Sequence, residues 1–153
     1  MAYQKLQAST ALEVIPSDSI NIPNPAVLSV SSTTTSAAAL KLIDSSGDFI
    51  NKRINIGDIV YAGNVAATVT AVDSATQLSV TVAVPTTTSY KIFRKQNANL
   101  GCVLYVGAAG NIKVTTAGGD VVTFNGVLAG SFMPVQVLKV WATGSPTNIV
   151  ALW

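Results

Sequence analysis

The chain has 153 residues, enough for one compact domain or two small ones with a hydrophobic core. Charged residues make up only 10% of it, against about 25% in ordinary soluble domains, and its nine basic and seven acidic residues form no basic run, so the footprint of a nucleic-acid binder is absent. Histidine is missing, Glu13 is the one glutamate and Cys102 the one cysteine, which excludes imidazole catalysis, histidine-ligated metal and an internal disulfide.

The N-terminal stretch from Met1 to Lys5 lacks the apolar run of a signal peptide, and no segment approaches the roughly 18 apolar residues of a membrane span. Residues 1–10 are expected to form an arm that adds a strand to a neighbour's sheet edge, with Tyr3 and Leu6 as its contacts. A strand is expected over 12–16. Ile22-Pro23-Asn24-Pro25 then breaks sheet pairing, because proline cannot donate to a ladder. Ser29 to Ser36, rich in Ser and Thr, reads as a loop or soft strand, followed by a strand over 38–43. Asp44-Ser45-Ser46-Gly47-Asp48 superficially resembles a calcium loop but lacks alternating ligands and a terminal glutamate, so a turn is the better reading. A single helical turn near Asp48–Arg53 and a strand over 58–62 follow.

The clearest alternation comes next. Val65, Ala67, Val69 and Ala71 share one face of 65–72, and Leu78, Val80, Val82 and Val84 share one face of 77–84, with Asp73-Ser74-Ala75-Thr76 as the turn between them. A strand over 89–94 carries Lys91, Arg94 and Lys95 as solvated ends. The polar stretch Lys95-Gln96-Asn97-Ala98-Asn99 marks a second boundary. Beyond it, strands are expected at 102–107, 112–116, 121–124, 133–141 and 148–153. Gly107-Ala108-Ala109-Gly110 and Ala117-Gly118-Gly119-Asp120 read as hairpin turns. In 133–141 the apolar phase slips between Val137 and Leu138, as a β-bulge would make it. Cys102 lies in an apolar run and is expected to be a buried, inert thiol.

The chemistry available is sparse. A paired-carboxylate site would need two of Glu13, Asp18, Asp44, Asp48, Asp58, Asp73 and Asp120 held together, and most of these stand in turn contexts. Tyr61, Phe93, Tyr105, Phe124 and Phe132 read as core or turn packing. Trp141 and Trp153 end the last two strands and are either core plugs or contacts to a neighbouring subunit. Ile149-Val150-Ala151-Leu152-Trp153 is apolar on both faces, which in a small domain points to a subunit interface over one of them. Ser and Thr, 30 residues together, stand in for the missing charge, and such a surface suits a packed subunit better than a free monomer.

Two flanking pieces carry a resemblance. The first is Ala-Leu-Glu-Val-Ile-Pro-Ser-Asp-Ser-Ile-Asn-Ile-Pro-Asn-Pro over 11–25. The second, over 103–153, contains Leu104-Tyr105-Val106-Gly107, the run Val114 to Phe124, Ala129-Gly130, Met133-Pro134-Val135, Ala142-Thr143-Gly144 and Ile149 to Trp153. In order and spacing these resemble the small spike-base proteins of bacteriophages and phage-like gene transfer agents. The chain departs from that family in the interrupting segment 28–97 and in ending on Trp153, where the family has tyrosine. The interrupting segment is loosely similar to β-rich segments of phage virion proteins.

The resemblance implies a particle surface protein with no catalytic, cofactor or metal residues to carry over. The expected architecture is all-β: a β-sandwich or barrel domain assembled from both chain ends (11–27 plus 98–153), preceded by the arm 1–10 and carrying an inserted small β-barrel (28–97). The expected role is a non-enzymatic capsid decoration or cement protein on the virion surface, assembled in the host cytoplasm. Its partners would be the major capsid protein and copies of itself, a trimer first, with no nucleic acid, membrane, cofactor or small-molecule substrate. The interface residues expected are Tyr3, Leu6, Trp141, Leu152 and Trp153. A head-spike or tail subunit that binds a host receptor or glycan is the alternative, and a depolymerase-type enzyme is disfavoured by the missing histidine.

Overall fold

Twelve strands, numbered in chain order, form two antiparallel six-stranded sheets in a computed structural model that describes residues 8–95 and 99–153. The fold is all-β, in keeping with the expected sandwich-or-barrel class. The chain divides into two compact units: a terminal unit, Met1–Pro25 with Asn99–Trp153, and an inserted unit, Ala26–Ala98. Tyr3 and Leu6 lie outside the described residues.

The terminal unit holds β1 (Ala11–Glu13), β8 (Cys102–Val106), β9 (Gly110–Thr116), β10 (Val121–Val127), β11 (Ser131–Val140) and β12 (Ile149–Leu152), in the order β1-β12-β8-β11-β9-β10. The two ends of the chain meet in this sheet. Ala11 stands opposite Leu152 and Glu13 opposite Val150. The ladder runs on past β12, where the Ser9 and Thr10 N–H groups donate to the Trp153 carbonyl and the Trp153 N–H donates back to Thr10. Period-2 alternation turns Leu104 and Val106 of β8, and Ile149 and Ala151 of β12, into a shared core with Leu12 and Met133. Cys102 is buried there and donates to the Val137 carbonyl; burial pushes its thiol up to about 11.

Strand β11 explains the phase slip read in the sequence. It pairs with β8 through Ser131–Val137 and with β9 through Val137–Val140, and its register shifts in both ladders. The irregularity lets one strand serve two partners while Met133, Val137 and Val140 all stay buried. The hairpin expected at Gly107–Gly110 is therefore not formed: β11 lies between β8 and β9, and the loop connects strands that are not neighbours. Gly107 is required there by close approach. Its N–H donates to the Asn148 carbonyl at 2.7 Å, and a Cβ on it would fall 2.6 Å from that same oxygen. The second expected hairpin does form, β9 to β10, with Gly119 at φ 94 in its turn.

The inserted unit holds β2 (Leu28–Thr33), β3 (Lys41–Ile43), β4 (Ile59–Ala62), β5 (Val65–Val72), β6 (Gln77–Val80) and β7 (Ser89–Phe93), in the order β2-β7-β4-β5-β6-β3. The closed barrel expected here is not shown by the ladders. Among the described residues the segment that follows β2 meets edge strand β3 at one isolated bridge, Ser36 to Ile43, beside a Thr35 N–H bond to the Ile43 carbonyl. The core contains Leu42, Phe49, Val60, Leu78, Tyr90 and Ile92, all essentially without solvent contact.

Two local expectations are sharpened and one, the strand over 77–84, is shortened. Leu28–Thr33 is a strand paired with β7, with an irregularity between Leu28 and Val30. Strand β6 ends at Val80. The chain then bends, Thr81 donating to Thr68 and Val84 to Lys41, so that Val84 is buried and Val82 exposed. The segment after Asp48 makes one turn, closed by the Lys52 N–H on the Asp48 carbonyl, without continuing as helix. Gly47 precedes that turn, and a Cβ on it would lie 2.6 Å from Cζ of the buried Phe49. Gly47→Ala is expected to cost the inserted unit about 1–3 kcal/mol, measured as faster amide hydrogen exchange confined to that unit.

Candidate functional site

The residues on the outer side of the terminal sheet follow from its registers. Directly opposed residues in an antiparallel ladder share a face. Phe132 stands opposite Tyr105, Tyr105 opposite Val150, and Val150 opposite Glu13. The next row is Val103 opposite Leu152, and Leu152 opposite Ala11. All of these alternate with the buried set and point away from the core. Phe132 is 63% exposed, while Val103, Tyr105, Val150 and Leu152 are partly exposed. The Phe132 and Tyr105 rings pack at 5.3 Å between centroids, which holds the aromatic pair in place. The result is a pleated apolar surface over β12, β8 and the start of β11, bordered by Glu13.

Phe132 and Tyr105, expected in the core or at turns, are thus on the outer face. The core side of β11 at that level is filled by Met133 opposite Leu104, and alternation leaves Phe132 outside. The signal that identifies this surface is β8 itself: like β12, it is apolar at both alternating sets, Cys102, Leu104 and Val106 on one side and Val103 and Tyr105 on the other.

Trp141 belongs to a separate cluster at the far end of β11. Its indole N–H donates to the Thr115 hydroxyl at 3.0 Å, and the Lys113 and Lys139 ammonium groups lie 4.1 and 3.9 Å from the ring centroid. Such contacts contribute about 0.5–1 kcal/mol each at exposed sites. Lys139 also donates to the Asp18 carbonyl. The Thr143 N–H and hydroxyl hold the Asp18 carboxyl below its ordinary value. The indole ring is therefore occupied as a cation acceptor instead of standing bare.

Of the expected interface residues, Leu152 joins the outer apolar face. Trp153 is half-buried and donates its indole N–H to Asn99, whose own amide holds the Val137 carbonyl, so its role within the unit is to anchor the end of the sheet. Trp141 is half-buried among the lysines. The structure does not gather the three into one patch by pairing: Leu152 pairs with Val103 and Ala11, and Trp141 sits opposite Lys113.

Five of the seven carboxylates, Asp18, Asp44, Asp48, Asp58 and Asp73, are engaged structurally. Asp44 is fully buried and accepts from the Ser32 hydroxyl, the Tyr90 phenol and the Ser46 N–H. Asp58 is buried and accepts the Asn55 and Lys95 N–H groups, so both oxygens tie loops together. Asp73 faces Lys41 at 2.8 Å, the only ion pair among the described residues; that hydrogen bond leads the effects holding its carboxyl below the ordinary value. No group of three or more His, Cys, Asp or Glu side chains able to hold a metal is found among the described residues. No described helix is long and apolar enough to cross a membrane.

The class the fold defines is thus an all-β chain whose two ends build one sheet and whose middle builds another. No protein-family model, curated protein or solved structure matches it.

Proposed function

We propose that this chain is a structural protein of a bacteriophage particle, a head decoration or cement subunit without catalytic activity. The observation that carries the reading is the split motif over 11–25 and 103–153. Both pieces fall in one unit whose terminal strands, β1 and β12, pair with each other. The 28–97 segment interrupts that motif in the sequence, and residues 26–98 form a unit of their own.

In this role the outer apolar face binds the major capsid protein or a neighbouring copy, with a trimer as the first arrangement to test. Each large apolar side chain that becomes fully covered contributes about 1.5–3 kcal/mol. Many copies bridging capsomer boundaries then hold the shell against internal pressure through summed weak contacts. The subunit joins the particle in the host cytoplasm and ends on the virion surface, without cofactor, nucleic acid or membrane. The alternative, a spike or tail subunit that grips a glycan, draws less support. Glycan stacking uses a bare aromatic face, and the ring of Trp141 is already covered by two ammonium groups.

The test is rebinding to particles stripped of this chain. Wild-type protein is expected to restore full occupancy and raise the temperature at which heads rupture. Phe132→Asp combined with Leu152→Asp is expected to bind at least about tenfold more weakly, with an unchanged circular dichroism spectrum. Density for the chain at a tail tip, or its absence from purified particles, would overturn the proposal.

A further inference from the structure

We infer that the inserted unit carries a second docking surface, built from Ile50, Ile56, Lys52, Arg53, Arg94 and Lys95, that fits an acidic protein partner. The net positive charge of the chain resides in this unit, which has six basic and four acidic residues, while the terminal unit has three of each. Four of the six bases come together in space although the sequence separates them into two pairs. The Arg94 guanidinium donates to the carbonyls of Arg53 at 3.3 Å and Lys52 at 3.0 Å, which ties the end of β7 to the turn after Asp48. The Arg53 N–H donates to Ile50 at 3.0 Å, and the Lys95 stem lies over the bare Cα of Gly57, next to Ile56.

Among the described residues no carboxylate forms an ion pair with this cluster. Asp58 is buried and engaged by two backbone N–H groups, and Asp48 accepts the Asn51 side chain at 2.8 Å. The same segments carry two exposed β-branched apolar side chains, Ile50 in the turn with Lys52 and Arg53 at 59% and Ile56 beside Gly57 at 68% exposure. Exposed isoleucine framed by unpaired cations is the composition of a protein interface with an apolar centre and a charged rim. The two fixed bonds on Arg94 leave its remaining N–H groups as a rigid fork, which suits a carboxylate held in a defined direction. A DNA backbone would leave the isoleucines without partners, and a fluid lipid headgroup layer would make no use of a guanidinium held in one plane.

Retention of the full-length chain on three immobilised probes tests this: a synthetic peptide alternating glutamate with leucine, duplex DNA, and vesicles rich in phosphatidylserine. The glutamate–leucine peptide is expected to bind most tightly, with retention falling as salt rises. Lys52→Glu with Lys95→Glu, two exposed side chains, is expected to weaken that binding about tenfold, and Arg94→Lys about threefold, because the charge stays while the fork is lost. Ile56→Ser is expected to weaken binding to the alternating peptide but not to polyglutamate. A thermal melt of each variant establishes that it folds. The inference is overturned if folded charge-reversed protein binds the peptide as well as wild type, if nothing is retained, or if DNA or the vesicles bind more tightly than the peptide.

Discussion

Asp44→Ala is expected to destabilise the inserted unit by about 3 kcal/mol or more, enough to expose its amides to rapid hydrogen exchange while those of the terminal unit stay protected. Asp44 has no solvent contact and no cationic partner; three hydrogen bonds keep its charge tolerable. Alanine removes the acceptor and leaves the Ser32 hydroxyl, the Ser46 N–H and above all the Tyr90 phenol to find new partners. Tyr90 is itself buried, in ring contact with Phe49, so an orphaned hydroxyl there faces the core. Burial and the adjacent carboxylate push that phenol far above its ordinary value, which keeps it a donor at every physiological pH. Asp44→Asn is expected to cost less, since the amide oxygen still accepts while its NH₂ can donate to the Ser32 or Tyr90 oxygen.

The same network makes the unit acid-sensitive. Burial raises the Asp44 carboxyl, but the bonds from Ser32, Tyr90 and Ser46 more than offset it and hold the group below its ordinary value of 3.8. As pH falls, the unfolded chain takes up this proton first. The stabilisation from Asp44 is therefore complete only well above the unfolded value of 3.8 and disappears as pH falls through the lower folded-state value. Acid titration of wild type and Asp44→Asn checks this: the stability difference between them should shrink toward the acid end. A difference that stays constant down to pH 2 would show that the carboxylate charge plays no part.

Removing residues 149–153 is expected to unfold the terminal unit. Strand β12 is paired on both sides, with β1 and with β8, and contributes the buried Ile149 and Ala151 to the core. Its loss strips two ladders at once, leaves β1 with nothing to pair with and opens the core. The cost is on the order of 5 kcal/mol or more, comparable with the whole stability of a small domain. Trp141 reports the outcome, because its ring contacts depend on β9 and β11 lying side by side. Measured against full-length Trp153→Phe, which like the truncated chain keeps Trp141 as its one tryptophan, its emission should shift to longer wavelength. Unchanged emission and near-ultraviolet dichroism would show that the pairing of the chain ends is not what holds this unit together.

Much of the strand content was legible because alternation is a local property. Val65, Ala67, Val69 and Ala71 share one face of 65–72 at period two, and that segment is a strand. The slip between Val137 and Leu138 was legible as well, since a bulge must displace the apolar phase by one residue. The breaks at Pro23–Pro25 and Lys95–Asn99 were visible as composition, and the chain passes between units at Pro25 and again at Ala98. Leu28–Thr33 was less legible, because its three serines carry little strand preference of their own and the run Ser31 to Ser36 reads equally as a loop.

The functional surfaces divide in the same way. By itself, the sequence determined an all-β chain, poor in charge and without imidazole, whose last strand is apolar on both sides. Only the tertiary structure decided that β8 lies beside β12 and so extends one apolar strand into a surface, that Phe132 stands outside it while Met133 fills the core, and that Asp44, read as a turn residue, closes a buried network with Tyr90, 46 residues away. The reason is physical: alternation fixes which residues share a face of their own strand, but which face meets solvent, and which distant donors converge on one carboxylate, depends on strand order. That order arises from pairings between segments far apart in the chain, and no local pattern encodes them.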